Sequence, residues 1–343
     1  MNGSDVLFEV RNRAGVITLN RPKALNALTL GMVREMHPQL ERWADDDRVE
    51  QVIIKAAGNK AFCAGGDIRA LYDWGRAGND TFLTFYREEY LLNTFIKRYP
   101  KPYIALIDGI DMGGGVGVSI HGSHRVATER LTFAMPETGI GLFPDVGGTY
   151  FLPRLPGELG MFMALTGARL KAPDALYAGI ATHYVPSGRL TALEEALTST
   201  DDVEEALKGF SAEWDASELE GLQKQIDKHF SKDSVEAILE SLEKDKSEWA
   251  AKQRTIMATK SPTSQRIAFR QMRDGANASF EECMRIEWRM VNRIYKAHDF
   301  YEGIRAVVID KDNQPAWQPA TLKDVQEEDV NAYFTTLSDE LPA

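Results

Sequence analysis

Two carboxylates, Glu137 and Asp145, stand eight positions apart in the run AMPETGIGLFPDVGG, whose other side chains are almost all apolar, glycine or proline. Burying an unpaired charge is costly, so such a pair has one of two uses. Each can be a local turn or cap acceptor, and Asp145 ahead of VGG suits a helix N-cap. Alternatively they form an acid–base or nucleophile–acid pair in a dry pocket, where burial lifts a carboxyl pKa toward working pH. The residue types by themselves leave both uses open.

Glycine supplies the second chemical signal. IDGIDMGGGVGVSIHG places six glycines within residues 109–122, directly after a strand-like run. G-x-G-x-x-G fails in both registers: Gly113 and Gly115 are followed by Val118, and Gly115 and Gly117 by Ile120. No G-x-x-x-x-G-K-[ST] occurs, so a phosphate-cradling loop of that kind is not expected. AFCAGGD has the same context of buried strand, small residues and helix. Two such turns on neighbouring parallel strands can bring backbone N–H groups together, as an acyl-transfer or enolate-forming site needs for its oxyanion. Close packing of helix on strand is the plainer alternative.

Other candidates weigh less. Cys63 has small apolar neighbours and no histidine near it in sequence, so it reads as a packed thiol. Ser119 lies in GVSIH rather than G-x-S-x-G, and His121 and His124 lack further ligands for a metal site. Asp67 suits a helix cap. Glu88 and Glu89 are adjacent on a helix and cannot both face the same way, so one can point inward.

The elements that must hold these residues follow from periodicity. Residues 5–10 and 15–20 read as strands around an NRAG turn, and TLGMVREMHPQLERWADD as an amphipathic helix capped by Thr29 and kinked at Pro38. QVIIKAAG and KPYIALIDG are β-branched apolar runs, the mark of strands buried on both faces. A long helix fills TFLTFYREEYLLNTFIKRY up to Pro100, and HRVATE and LTFAM give two more strands. The repeated order of strand, glycine turn and helix predicts an α/β core with a largely parallel sheet over residues 1–204. From residue 205 to 343 charged amphipathic stretches predict a helical C-terminal region packed on that core, with KSPTSQRIAFRQM starting a helix at Ser261 or Thr263.

Composition narrows the class of function. With 43% hydrophobic residues there is material for a large core, and a net charge of −11 argues against nucleic acid or an anionic membrane as partner. Two cysteines make no disulfide framework, which suits a reducing compartment. No apolar run reaches membrane-spanning length, and MNGSDVLFEVRNRAG has neither a signal h-region nor transit-peptide composition. A cytoplasmic protein is the expectation.

Taken together, AFCAGGDIR, MGGGVG and AMPETGIGLFPDVGG resemble the crotonase (enoyl-CoA hydratase/isomerase) superfamily, and more closely its 3-hydroxyisobutyryl-CoA hydrolase branch. NRPKALNALTL, REEYLLN, FLPRLPG, MALTGARLK, AGIATHYV, KSPTS and HDFYEGIRAVVIDKDNQPAWQP match as well, so the resemblance runs from about residue 6 to about residue 325. It implies a crotonase-like ββα spiral and an acyl-CoA substrate, with no cofactor beyond the CoA of the substrate itself. The oxyanion hole is implied to be the backbone N–H groups of Gly66 and Gly114, with Glu89 contacting substrate. Lys23, Ala24, Ala64, Asp67 and Ile68 are implied to receive coenzyme A, and Glu137 and Asp145 to be catalytic.

One departure from the hydratase pattern bears on the activity. Hydratases carry a glutamate just after the glycine triplet and another twenty residues later; here these positions are Gly117 and Glu137. Asp145 stands where hydratases generally have a small residue. The resemblance thus implies thioester hydrolysis in valine breakdown ahead of enoyl-CoA hydration or isomerisation. A non-catalytic acyl-CoA-binding scaffold would have no use for two costly acids. Assembly stays open, since superfamily members often form homo-oligomers and the helical tail can cover the usual interface.

Overall fold

Val6–Arg11 (β1) and Ala14–Leu19 (β2) form an antiparallel hairpin whose turn passes through Asn12 at φ 51. Gln51–Ala56 (β3), Tyr103–Ile107 (β5), His124–Ala127 (β7) and His183–Tyr184 (β9) add to β2 in parallel, giving the sheet order β1-β2-β3-β5-β7-β9. All five residues of β5 and the first four of β3 are buried, which is why these strands read as continuous apolar runs. A second sheet, in the order β4-β6-β8, is made by Ala61–Cys63 (β4), Ile110–Met112 (β6) and Thr132–Ala134 (β8). The structure is a computed structural model and describes residues 4–342.

Three times the chain runs from a strand of the large sheet into one of the small sheet and then into a helix or helical turn. This is the ββα repeat of the crotonase fold. Its corner between β5 and β6 needs glycine: Gly109 has φ +96, and a Cβ there would lie 2.5 Å from the Lys60 carbonyl oxygen. The chain leaves β4 into Gly65 and Gly66, β6 into Gly113 and Gly114, and β8 into Pro136 and Glu137. The repeat thus delivers each chemical motif at a strand exit.

The chain divides into two units that interleave in sequence. The first comprises Met1–Gly66, Glu88–Phe133 and Leu170–Glu220, and the second Asp67–Arg87, Ala134–Arg169 and Gly221–Ala343. Val16, Ile53, Ile104, Leu106 and Val126 form the first unit's core with Leu193, Leu197, Val203 and Leu207 from the helices Leu190–Ser199 and Val203–Phe210. The helix Val203–Phe210 therefore sits with the first unit although it straddles residue 205, where the sequence changes character. Thr29 caps the helix Leu30–Ala44 by accepting the Met32 N–H, and Pro38 lies inside it.

Among the described residues no strand follows Tyr184, and the second unit is helical. Its centre is the helix Leu159–Thr166, buried at all eight residues and packed against the helix Pro262–Gly275. Four successive helices, Val235–Lys244, Glu248–Ala258, Pro262–Gly275 and Phe280–Ile294, start on Ser234, Ser247, Ser261 and Ser279. Each serine oxygen accepts the N–H three residues on, satisfying a donor that the helix cannot. No helix among the described residues is long and apolar enough to cross a membrane.

Candidate functional site

In the first unit the two glycine turns meet. A Cβ built on Gly114 would lie 3.2 Å from the Gly66 nitrogen and 2.6 Å from Glu89 Oε1. Only glycine leaves room there, and Gly66, Gly114 and Glu89 are brought together. Gly114 opens the helix Gly114–Ser119, so its N–H belongs to the first turn, which has no intrahelical acceptor. Beneath it Asp111 is fully buried, accepts the Ser119 hydroxyl at 2.8 Å, and is pushed by burial up to about 7. That bond ties the two ends of the glycine turn and gives Ser119 a structural task. Asn93 donates to the Gly117 carbonyl at 3.0 Å.

The neighbouring acids separate as their positions on the helix Thr81–Lys97 require. Glu88 takes a two-pronged bond from Arg34, at 2.7 Å on each oxygen, whereas Glu89 is 2% exposed. Leu28 donates its N–H to the Gly65 carbonyl at 2.9 Å and Ala64 donates to the Leu25 carbonyl at 3.1 Å, so KALNAL is knitted to the CAGG turn. Ala24 closes the short turn Pro22–Ala24, and Lys23 lines a surface cavity of about 270 Å³ together with Lys60 and Asn26. Cys63 is fully buried and burial pushes its thiol up, as a packed thiol requires. His124 is engaged by Glu204 at 2.9 Å.

The second unit holds the remaining candidates. Asp67 caps the helix Ile68–Arg76, accepting the Ala70 N–H at 3.3 Å. Glu137 opens the 3-10 turn Glu137–Ile140 and is 4% exposed. That turn is gripped on several sides. Ser261 donates its N–H to the Thr138 carbonyl at 3.1 Å, and the Thr138 hydroxyl donates to the Ala164 carbonyl at 3.4 Å. Gly141, at φ +72, and Gly303 let the segment His298–Ile304 approach: Cβ atoms there would lie 2.1 Å from the Asp299 oxygen and 2.4 Å from the Ile140 carbonyl carbon.

Asp145 is also 4% exposed. It is not the N-cap of the short helix Gly148–Phe151; that position is Gly147. Glu137 lies close enough to Asp145 for the two to interact, and Glu137 Oε2 has no hydrogen-bond partner among the described residues. Burial raises the Glu137 pKa well above the usual carboxylate value; Asp145 and Glu287 raise it further, and the Lys260 ammonium opposes them. Such a group can accept a proton, or attack an electrophilic carbon, near neutral pH.

Residues 14–334 match the pattern of the family described as enoyl-CoA hydratase/isomerase. The chain belongs to the enoyl-CoA hydratase/isomerase family. A protein of Danio rerio named 3-hydroxyisobutyryl-CoA hydrolase, mitochondrial, is 54% identical over 347 residues, covering 98% of this chain and 91% of that protein. Among solved structures, a carnitinyl-CoA dehydratase from Mycobacterium thermoresistibile is 43% identical with a TM-score of 0.95, covering 99% of both chains. An enoyl-CoA hydratase from Rhodobacter sphaeroides is 39% identical with a TM-score of 0.93, covering 99% of this chain and 100% of that one.

Within this enoyl-CoA hydratase/isomerase family chain, sequence reasoning passed over three residues around the carboxylates. Glu287 is fully buried and pushed by burial up to about 8; its two oxygens accept the Gly147 and Thr149 N–H groups at 2.9 Å each. Gln271, also fully buried, donates to the Pro144 carbonyl at 2.6 Å and the Thr149 hydroxyl at 2.7 Å. Lys260 precedes the Ser261 cap, and its ammonium lies 3.4 Å from where a Gly139 Cβ would be. A signal existed for Glu287: with Phe280, Cys283, Met290 and Ile294 it falls on one apolar stripe at helical spacing, a costly place for a charge.

Proposed function

We propose that this chain hydrolyses the thioester of a short β-hydroxyacyl-CoA, foremost 3-hydroxyisobutyryl-CoA, to the free acid and CoA, as a step of valine breakdown. The observation that carries this reading is the buried pair Glu137 and Asp145, in a chain with glycine at 117 where a hydratase needs its other glutamate. The near full-length identity to a hydrolase supports it.

In this mechanism the Gly66 and Gly114 N–H groups polarise the thioester carbonyl and hold the charge that develops on its oxygen. Glu137 in its ionised form acts in one of two ways. As nucleophile it bonds to the carbonyl carbon, the C–S bond breaks, CoA leaves as thiolate, and water cleaves the resulting anhydride. As general base it takes a proton from the water that attacks instead. An acyl adduct on Glu137, sought by mass spectrometry after rapid quenching, separates the two routes. Asp145 hydrogen-bonds the substrate hydroxyl or the water, and Glu89 contributes to binding the acyl end. Lys23, Ala24, Ala64, Asp67 and Ile68 receive coenzyme A, and the two lysines beside one cavity suit its phosphates. A thioester is already reactive, so the reading calls for no metal or redox cofactor.

Enoyl-CoA hydration is the second reading, favoured by the names of the two similar solved structures. Free thiol released from 3-hydroxyisobutyryl-CoA and 3-hydroxypropionyl-CoA is measured beside hydration of crotonyl-CoA, followed by loss of enoyl absorbance. Thiol release is expected; rapid hydration without it would sink the hydrolase. Cytoplasm is the compartment we propose, in keeping with two buried free cysteines. The relative's name places it in mitochondria, and fractionation of cells expressing this chain decides.

A further inference from the structure

The loop carrying Asp145 adopts backbone that it would not choose alone. Val146, a β-branched residue, sits at φ +50 and Gly147 follows at φ +89. A branched side chain is sterically disfavoured in this left-handed region. Two buried side chains from later helices grip that segment. From the helix Phe280–Ile294, Glu287 takes the N–H groups of Gly147 and Thr149; from the helix Pro262–Gly275, Gln271 donates to the Pro144 carbonyl and the Thr149 hydroxyl. All four bonds land within residues 144–149, before and after Asp145. An apolar side chain would fill the space at position 287 without the cost of desolvating a carboxyl. The carboxyl group is justified by the two N–H groups it satisfies.

We propose that Glu287 is a positioning residue: its paired bonds hold the left-handed Val146–Gly147 backbone and thereby aim the Asp145 carboxylate, while Gln271 fixes the preceding flank. The inference rests on the thioester-hydrolase reading of Asp145. Glu287→Gln keeps the shape but turns an NH₂ group toward one of the two backbone donors.

The test is a kinetic cycle on wild type, Glu287→Gln, Asp145→Asn and the double variant, each confirmed folded by circular dichroism. Glu287→Gln is expected to lower kcat by about ten- to a hundred-fold, the scale of a misplaced group, with KM for the acyl-CoA nearly unchanged. In the Asp145→Asn background the same change is expected to cost less than about twofold. For every variant kcat is taken on the pH plateau where Glu137 is ionised, so that the effect of Glu287 on the Glu137 pKa drops out and only positioning of residue 145 is read. A folded Glu287→Gln enzyme at full kcat overturns the inference, as do losses that multiply in the double variant. Should Glu287→Gln not fold, Gln271→Met runs the same cycle, and full or multiplicative rates there overturn it equally. If wild type releases no thiol the hydrolase reading falls and takes this inference with it. If wild type is active and Asp145→Asn is unimpaired, the role of Asp145 falls. Only when both stand does the result at Glu287 judge positioning alone.

Discussion

Replacing Gly141 by alanine tests how the turn that carries Glu137 is held. Gly141 is left-handed at φ +72, and a Cβ there would lie 2.1 Å from the Asp299 carbonyl oxygen and 2.2 Å from its carbon. Two costs add. An L side chain in the left-handed region costs about 1–2 kcal/mol. Relieving the overlap needs a backbone shift of about 1 Å in tightly packed surroundings, worth about 1–3 kcal/mol by analogy with overpacked cores. The sum is about 2–5 kcal/mol, or a melting point lower by about 4–20 °C for a unit of this size. Gly78 separates the costs: it has φ +64 in the same unit with nothing within 4 Å of its Cβ position, so Gly78→Ala bears the first cost alone. Calorimetry should therefore place Gly141→Ala below Gly78→Ala. Thiol release should fall about ten- to a hundred-fold only in the former, since the shift moves the turn bearing Glu137. Equal melting points and equal rates for the two variants would show that the close approach of Gly141 to Asp299 does not hold the turn.

Glu137→Gln should lower thiol release by roughly 10²–10⁴-fold while CoA-ester binding, measured by calorimetric titration, persists. Glu137 acts ionised and its pKa is raised well above 4.5, so activity should fall with decreasing pH through that raised value, earlier than for an ordinary carboxylate. Lys260 opposes the rise, so Lys260→Met should move this acid limb of the rate profile to higher pH; an unmoved limb would remove Lys260 from the environment of Glu137. Ser261→Ala loses the helix cap and the 2.6 Å bond to the buried Asp299, and chemical denaturation should register about 2–4 kcal/mol.

The signals legible in sequence were local ones. β-branched runs gave the buried parallel strands, Thr29 announced its helix, Ser261 or Thr263 announced another that Ser261 in fact caps, and glycine clusters marked the turns that meet at Gly66 and Gly114. Glu137 and Asp145 were readable as two acids in an apolar run, but not that Gly147 rather than Asp145 takes the N-cap position of the helix Gly148–Phe151, since a cap depends on geometry a few ångströms across. The resemblance singled out Glu89 over Glu88, but the residue pattern did so less clearly. The buried Phe82, Phe85, Tyr86, Leu92 and Ile96 of the helix Thr81–Lys97 share one face with Glu89, while Leu83, Leu91 and Phe95 lie off it and blur the stripe. Glu287 and Gln271 were missed for another reason. They sit among many charged helical residues, and what distinguishes them is a partner loop far away in sequence. The interleaving of the two units escapes a local reading for the same cause.

That separation has a consequence for how the protein is born. Gly147 and the carboxyl that holds it are 140 residues apart. On a ribosome moving at about 5–20 residues per second, the Asp145 loop waits roughly 7–28 s before its clamp has been made. During that interval two acids and an apolar segment are without the helices that bury them. The nascent chain therefore depends on late, long-range closure, a slow class of event that leaves apolar surface open to aggregation. Stalling or truncation before residue 287 leaves the glycine turns synthesised and the carboxylate loop without its Glu287 clamp.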